Sequence, residues 1–100
     1  MFVHSVYFTL KDSSAEKCRA LVAECDRWLK GHGGLVFYDA GVRAEAYARP
    51  SNDKEFHVAL LLVFETAAWH DAYQVSEKHK AFVAANNPNW AQIRVFDSER

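Results

Sequence analysis

The chain has 100 residues, half of them apolar and a quarter charged, with a formal net charge of -1. That length supports one hydrophobic core, hence a single domain over residues 1–100, and the balance is that of a folded globular protein. Near-neutrality argues against the basic face that nucleic acid or an anionic membrane requires, and the longest apolar run, Val58–Phe64, is too short to span a bilayer.

Residues 2–10 alternate. Phe2, His4, Val6, Phe8 and Leu10 share one face, and Val3, Ser5, Tyr7 and Thr9 the other, which predicts a strand. No basic segment precedes it, so a secretory leader is not expected. Ser13 with Glu16 reads as a capping box opening a helix. Cys18, Leu21, Val22, Cys25, Trp28 and Leu29 then form one apolar stripe, and Gly31-His32-Gly33-Gly34 stops it. The two cysteines lie seven residues apart on that helix. This puts their backbones about 10 Å apart, beyond disulfide reach. They read as reduced core thiols, which suits the cytoplasm.

A second strand is predicted over Leu35–Tyr47, with Gly41 marking a bulge, and Arg49–Lys54 has turn chemistry that makes a hairpin with the next strand. The third strand, Glu55–Glu65, is apolar on both faces: Phe56, Val58, Leu60, Leu62 and Phe64 on one, His57, Ala59, Leu61 and Val63 on the other. Both should be buried. From Thr66 the period becomes helical. Trp69, Ala72 and Tyr73 form a short stripe, Ser76 caps a further helix carrying His79, Phe82 and Val83, and Asn86-Asn87-Pro88 ends it. Trp90–Asp97 is a last strand.

The order β-α-β-β-α-β, with the second helical segment broken, is the ferredoxin-like α+β pattern with an antiparallel sheet. Its helices cover one sheet face. The other would carry large apolar residues of the third strand plus Tyr7 or Phe8, and such a face needs covering. The same face of a second copy is the economical cover, so a homodimer is expected.

Four polar residues stand where core contacts are expected: His4, His57, Tyr73 and His79. Neutral imidazole can give and take a proton near neutral pH, and a phenol can donate to a developing oxyanion. The four suggest a pocket for an apolar carbonyl compound, with His79 as general base, Tyr73 holding the carbonyl oxygen, and His4 and His57 lining the walls. The bland reading is that they are core side chains satisfied by hydrogen bonds. The histidines come from different elements with no i, i+4 pair, so no metal site is expected. No phosphate loop, nucleophile motif or dinucleotide fingerprint is present, so no cofactor is expected. His32 should be a solvent-exposed loop residue, and His70 should face solvent beside Asp71. Trp28, Trp69 and Trp90 should be core anchors. Asp39, Arg43 and Glu45 alternate on one face and should pair across a dimer or face water.

The opening strand Val3–Lys11, the segment His57–Glu65, the run Ala72–Val83 with its tyrosine, histidine and phenylalanine, and the terminal Trp90–Asp97 together resemble the stress-responsive A/B barrel domain family, the Dabb family. The resemblance implies two ferredoxin-like chains packed sheet to sheet into a dimeric α+β barrel, helices outside. Many members have no assigned activity. A characterised plant relative is a polyketide cyclase, and its site matches Tyr73 and His79, with further histidines at His4 and His57. Members often carry His-Pro where this chain has Ser76-Glu77. The resemblance therefore implies either a cofactor-free lyase or cyclase, or a non-catalytic stress-associated homodimer with no ligand pocket.

Overall fold

The computed structural model describes residues 1–100. The elements run β1 (Phe2–Leu10), α1 (Ala15–Trp28), β2 (Leu35–Val42), β3 (Val58–Phe64), α2 (Ala67–Gln74), α3 (Glu77–Asn86), a 3-10 turn at Asn87–Asn89, and β4 (Trp90–Glu99). The four strands form one sheet in the order β2-β3-β1-β4, with every neighbouring pair antiparallel. This is the ferredoxin-like α+β arrangement that the periodicities predict. No helix is long and apolar enough to cross a membrane.

Strand parity sorts the chain. Val6, Phe8 and Leu10 of β1 and Val58, Leu60, Leu62 and Phe64 of β3 point toward the helices and are buried. They meet Cys18, Leu21, Cys25 and Leu29 of the α1 stripe and its cap, together with Tyr73 and Phe82. Burying a side chain such as Leu29 or Leu62 contributes about 1.5–3 kcal/mol each, so the core rests on these few positions. Both cysteines are free and buried, and desolvation by burial pushes the Cys25 thiol up to about 12.

The opposite face carries Tyr7, Leu61, Val63, Phe37 and Phe96, and no helix covers it. Phe37 and Phe96 are each about half exposed, at 52% and 54%. Tyr7 belongs to this bare face, whereas Phe8 is in the core.

Several boundaries differ from those expected. The α1 cap is Ser14, whose hydroxyl accepts the Lys17 N–H, because Asp12 draws the Ser14 N–H into a turn one residue later than Ser13. Strand β2 ends at Val42. The Arg43 guanidinium turns across the neck of the 43–57 loop to bond the carbonyls of Lys54 and Phe56 and to pair with Glu45. Those two charges therefore satisfy each other. The bulge in β2 falls between Leu35 and Phe37 and not at Gly41. Strand β3 begins at Val58, and β4 runs on to Glu99.

Trp28 and Trp90 pack against the core. Trp69 does not: it is 44% exposed. Its indole lies flat over Gly33 and Gly34, where a Cβ would collide with the ring. Gly34 also has φ +74°, a left-handed conformation that favours glycine. These two glycines therefore let α2 approach, while Gly31, at φ +75°, is the left-handed residue that follows the end of α1.

Candidate functional site

Helix α1 packs over β2 and β3, α3 packs beside α1, and α2 lies over β1 and β3. Strand β4, outermost, has no helix above it. Its inward-parity residues Ile93 and Val95 remain 38% and 49% exposed. Between α2, α3 and the sheet, and open toward β4, lies a cavity of about 350 Å³. Its walls are mostly apolar, among them Val6, Phe82, Ile93 and Val95, and its polar groups are His4, His70, Tyr73, Gln74, His79 and Asp97.

The break between α2 and α3 positions two of these. On one continuous helix at about 100° per residue, Tyr73 and His79 would point about 120° apart. The chain instead leaves the helix at Val75, and Ser76 starts another. The Ser76 hydroxyl donates to the Tyr73 carbonyl (2.8 Å) and accepts the His79 N–H (3.2 Å). The two rings consequently meet edge to face, 4.9 Å between centroids. His32 also stands edge-on to Tyr73, at 4.9 Å, and donates Nε2–H to the Trp28 carbonyl. It is a part-buried C-terminal cap of α1, not a free loop residue.

The other end of the cavity is a chain of hydrogen bonds. His4, only 5% exposed, donates from Nδ1 to Asp97 Oδ1 at 2.6 Å across the β1–β4 ladder, where the two residues are direct partners. Gln74 Nε2 lies 3.3 Å from His4 Nε2 and 3.4 Å from His70 Nε2. His70 Nδ1 lies 3.2 Å from Asp71 Oδ1. A carboxylate only accepts and an amide nitrogen only donates, so both imidazoles are assigned as the Nδ1–H tautomer with Nε2 lone pairs facing Gln74. His70 does not face solvent as expected: it stacks on Phe2 at 4.2 Å and lies 4.8 Å from His4, with its side chain 12% exposed.

Burial dominates the electrostatics. Desolvation lowers the pKa of His4 against the opposing pull of Asp97, and lowers that of His79, reinforced by His4, His32 and His70. It raises that of the Tyr73 phenol. Burial thus favours the neutral imidazole at His4 and His79 and the protonated phenol at Tyr73.

Of the four residues singled out in the sequence, three surround this cavity: His4, Tyr73 and His79. His57 does not. It sits just before β3 on the parity of Ala59 and Leu61, and its Nδ1 accepts the Leu10 N–H at 2.9 Å. Asp97, Gln74 and His70 were not among the residues singled out. Their signals were present: Asp97 continues the inward parity of Ile93 and Val95 as a carboxylate on an apolar face, and His70 precedes Tyr73 by three and Gln74 by four on one helix. A larger cavity, about 490 Å³, lies on the bare face beneath the 43–57 loop, beside Tyr7, Arg43, Arg94 and Phe96. It holds none of the candidate residues, and Arg43 and Arg94 are already paired with Glu45 and Asp53.

The model of the stress-responsive A/B barrel domain matches residues 2–100. The chain belongs to this Dabb family. No curated protein matches it significantly. Among solved structures it is similar to a Dabb family protein with a ferredoxin-like fold from Mesorhizobium loti, at 21% identity and TM-score 0.80 over 99% of this chain and 95% of that one. A dimeric ferredoxin-like protein of unknown function from Thermobifida fusca matches at 15% identity and TM-score 0.80, over 99% and 90%. The hydroxynitrile lyase of Passiflora edulis matches at 16% identity and TM-score 0.74, over 97% and 90%. At these identities the likeness is one of fold.

Proposed function

We propose that this Dabb domain works as a homodimer that holds a small apolar carbonyl or aromatic compound between α2, α3 and the sheet, as a cofactor-free lyase or cyclase. The observation that carries the reading is the cavity of about 350 Å³ with Tyr73 and His79 side by side on its wall. It falls within the range typical of ligand pockets. A non-catalytic dimer with a filled core would leave no such space, and would not leave Ile93 and Val95 as uncovered walls.

The chemistry follows from the protonation states. A neutral His79 can take a proton from the carbon next to a carbonyl. The electron pair moves into the enolate, and the protonated Tyr73 hydroxyl donates a hydrogen bond to its oxygen. The enolate carbon can then close a ring on a second carbonyl of the same molecule, whose oxygen takes the proton back from the imidazolium. Dry, apolar walls strengthen both contacts. His4, oriented by Asp97, lines the far end and offers a hydrogen bond to a distal polar group once Gln74 yields. One structural neighbour is by name a lyase, which puts such chemistry within reach of this fold.

The homodimer reading rests on the half-exposed aromatics of the bare face and on the dimeric description of several neighbours. The test is a panel of aromatic and polyketide-like carbonyl compounds, first by thermal shift and then by turnover. Binders should raise Tm. His79→Ala should keep binding and lower turnover about 100-fold or more, the scale of general base catalysis. No binder in the panel, or turnover indifferent to His79→Ala, would overturn the reading.

A further inference from the structure

The His4–Gln74–His70 chain at the β4 end of the cavity has a geometry that hydrogen bonding alone does not require. Two imidazoles from different elements, β1 and α2, aim their Nε2 lone pairs at one point, the Gln74 amide, 3.3 and 3.4 Å away. Each has a carboxylate behind it on Nδ1: Asp97 at 2.6 Å for His4 and Asp71 at 3.2 Å for His70. Ligand atoms of His4, His70 and Asp97 all lie within 4.8 Å of one another. An imidazole that ligates a metal commonly gives its other N–H to a carboxylate, which fixes the tautomer and raises the basicity of the ligating nitrogen.

We infer that His4 and His70 form a binding site for a divalent transition metal ion, held through both Nε2 atoms with Asp97 and Asp71 behind them. Imidazole nitrogens favour zinc, cobalt or nickel over magnesium or calcium. Zinc bonds nitrogen at about 2.0–2.1 Å, so the ion would sit inside the triangle that the Gln74 amide now closes. Gln74 lies at the last turn of α2, and a half-turn of its terminal amide presents Oε1 in place of the N–H groups. Water from the open β4 side would complete the coordination. His70 and Gln74 stand at i, i+4 on α2, and His4 comes from β1 on the opposite side of the focal point. The inference does not depend on the carbonyl reading, because metal binding is read without any substrate.

The experiment titrates chelator-treated protein with Zn²⁺ by calorimetry and with Co²⁺ by visible absorption. One ion per chain is expected, with Co²⁺ bands of nitrogen coordination. His70→Ala should weaken binding at least tenfold, and His57→Ala, outside the cavity, should leave it unchanged. Gln74→Glu, which supplies a charged oxygen at the focal point, should tighten it at least tenfold. Absence of saturable binding, or binding that survives His70→Ala and ignores Gln74→Glu, would overturn the proposal.

Discussion

Each face of this sheet carries an exception to the usual expectation. The face under the helices is where the polar groups gather, with His4, Asp97 and the rings of α2 and α3 set into an apolar core. The face open to solvent in the single chain is where the aromatics gather, with Tyr7, Phe37 and Phe96 beside Leu61 and Val63. The difference teaches that the faces answer to different demands: the covered one needs a dry site where a few polar groups act strongly, and the open one needs a second surface to lie against.

The sharpest way to break that division is to charge the open face. Leu61 lies mid-strand beside Asp39, its partner on β2. In the proposed homodimer, Leu61→Asp should put an unpaired carboxylate next to that like charge and raise the dissociation constant more than 100-fold. Analytical ultracentrifugation would report a monomer, while far-UV circular dichroism stays native. An unchanged dimer would mean that the partner surface lies elsewhere.

The covered face offers a test of comparable size. Phe82, 2% exposed, packs edge-on against Phe8 and forms part of the cavity wall. Phe82→Ala should cost about 3–5 kcal/mol in urea unfolding, since the lost contacts and the added void both count. A smaller effect is expected at Ser76, whose hydroxyl joins the Tyr73 carbonyl to the His79 N–H. Ser76→Ala should cost about 1 kcal/mol, as lost helix caps do, and should lower turnover more than stability by releasing the Tyr73–His79 pair. If kcat falls no further than in other variants of equal stability, the cap is only structural.

The mildest test is acid. His4 and His79 have folded-state pKa values below the ordinary 6.5, chiefly from burial. The unfolded chain therefore binds more protons as the pH drops through 6.5, so stability is full above that value and declines below it. Thermal midpoints should fall between pH 7 and pH 5, and His79→Gln should flatten that slope. A midpoint that rises on acidification would contradict the burial of these rings.

Much of the architecture was legible because two periods dominate the chain. Alternation in β1 and β3 separated the two faces of each strand but left open which one the helices cover, and the stripe from Cys18 to Leu29 found α1. The break near Ser76 was also visible, in a hydroxyl ahead of His79. The 43–57 connection was less so: Arg43, Glu45 and Tyr47 keep strand alternation, and only the guanidinium's reach to the carbonyls of Lys54 and Phe56 ends β2 early. The site was half visible. Tyr73, His79 and His4 could be proposed from residue type and face. The Asp97 partnership could not, because it rests on a register across strands separated by nearly the whole chain. His57 shows the converse, since parity had already placed it on the Ala59 face. His70 was missed because a helix that covers a sheet only partly has no sharp boundary between its wet and dry sides.

The seat of Trp69 on Gly33 and Gly34 gives an outside handle on the cavity. A methyl group at Gly33 would reach 2.6 Å from the indole edge, with no left-handed backbone to complicate the change. Gly33→Ala should act as a shim, tilting the helix that carries His70, Tyr73 and Gln74 without altering any of them. The volume available to a guest could then be adjusted from a loop that the guest never touches.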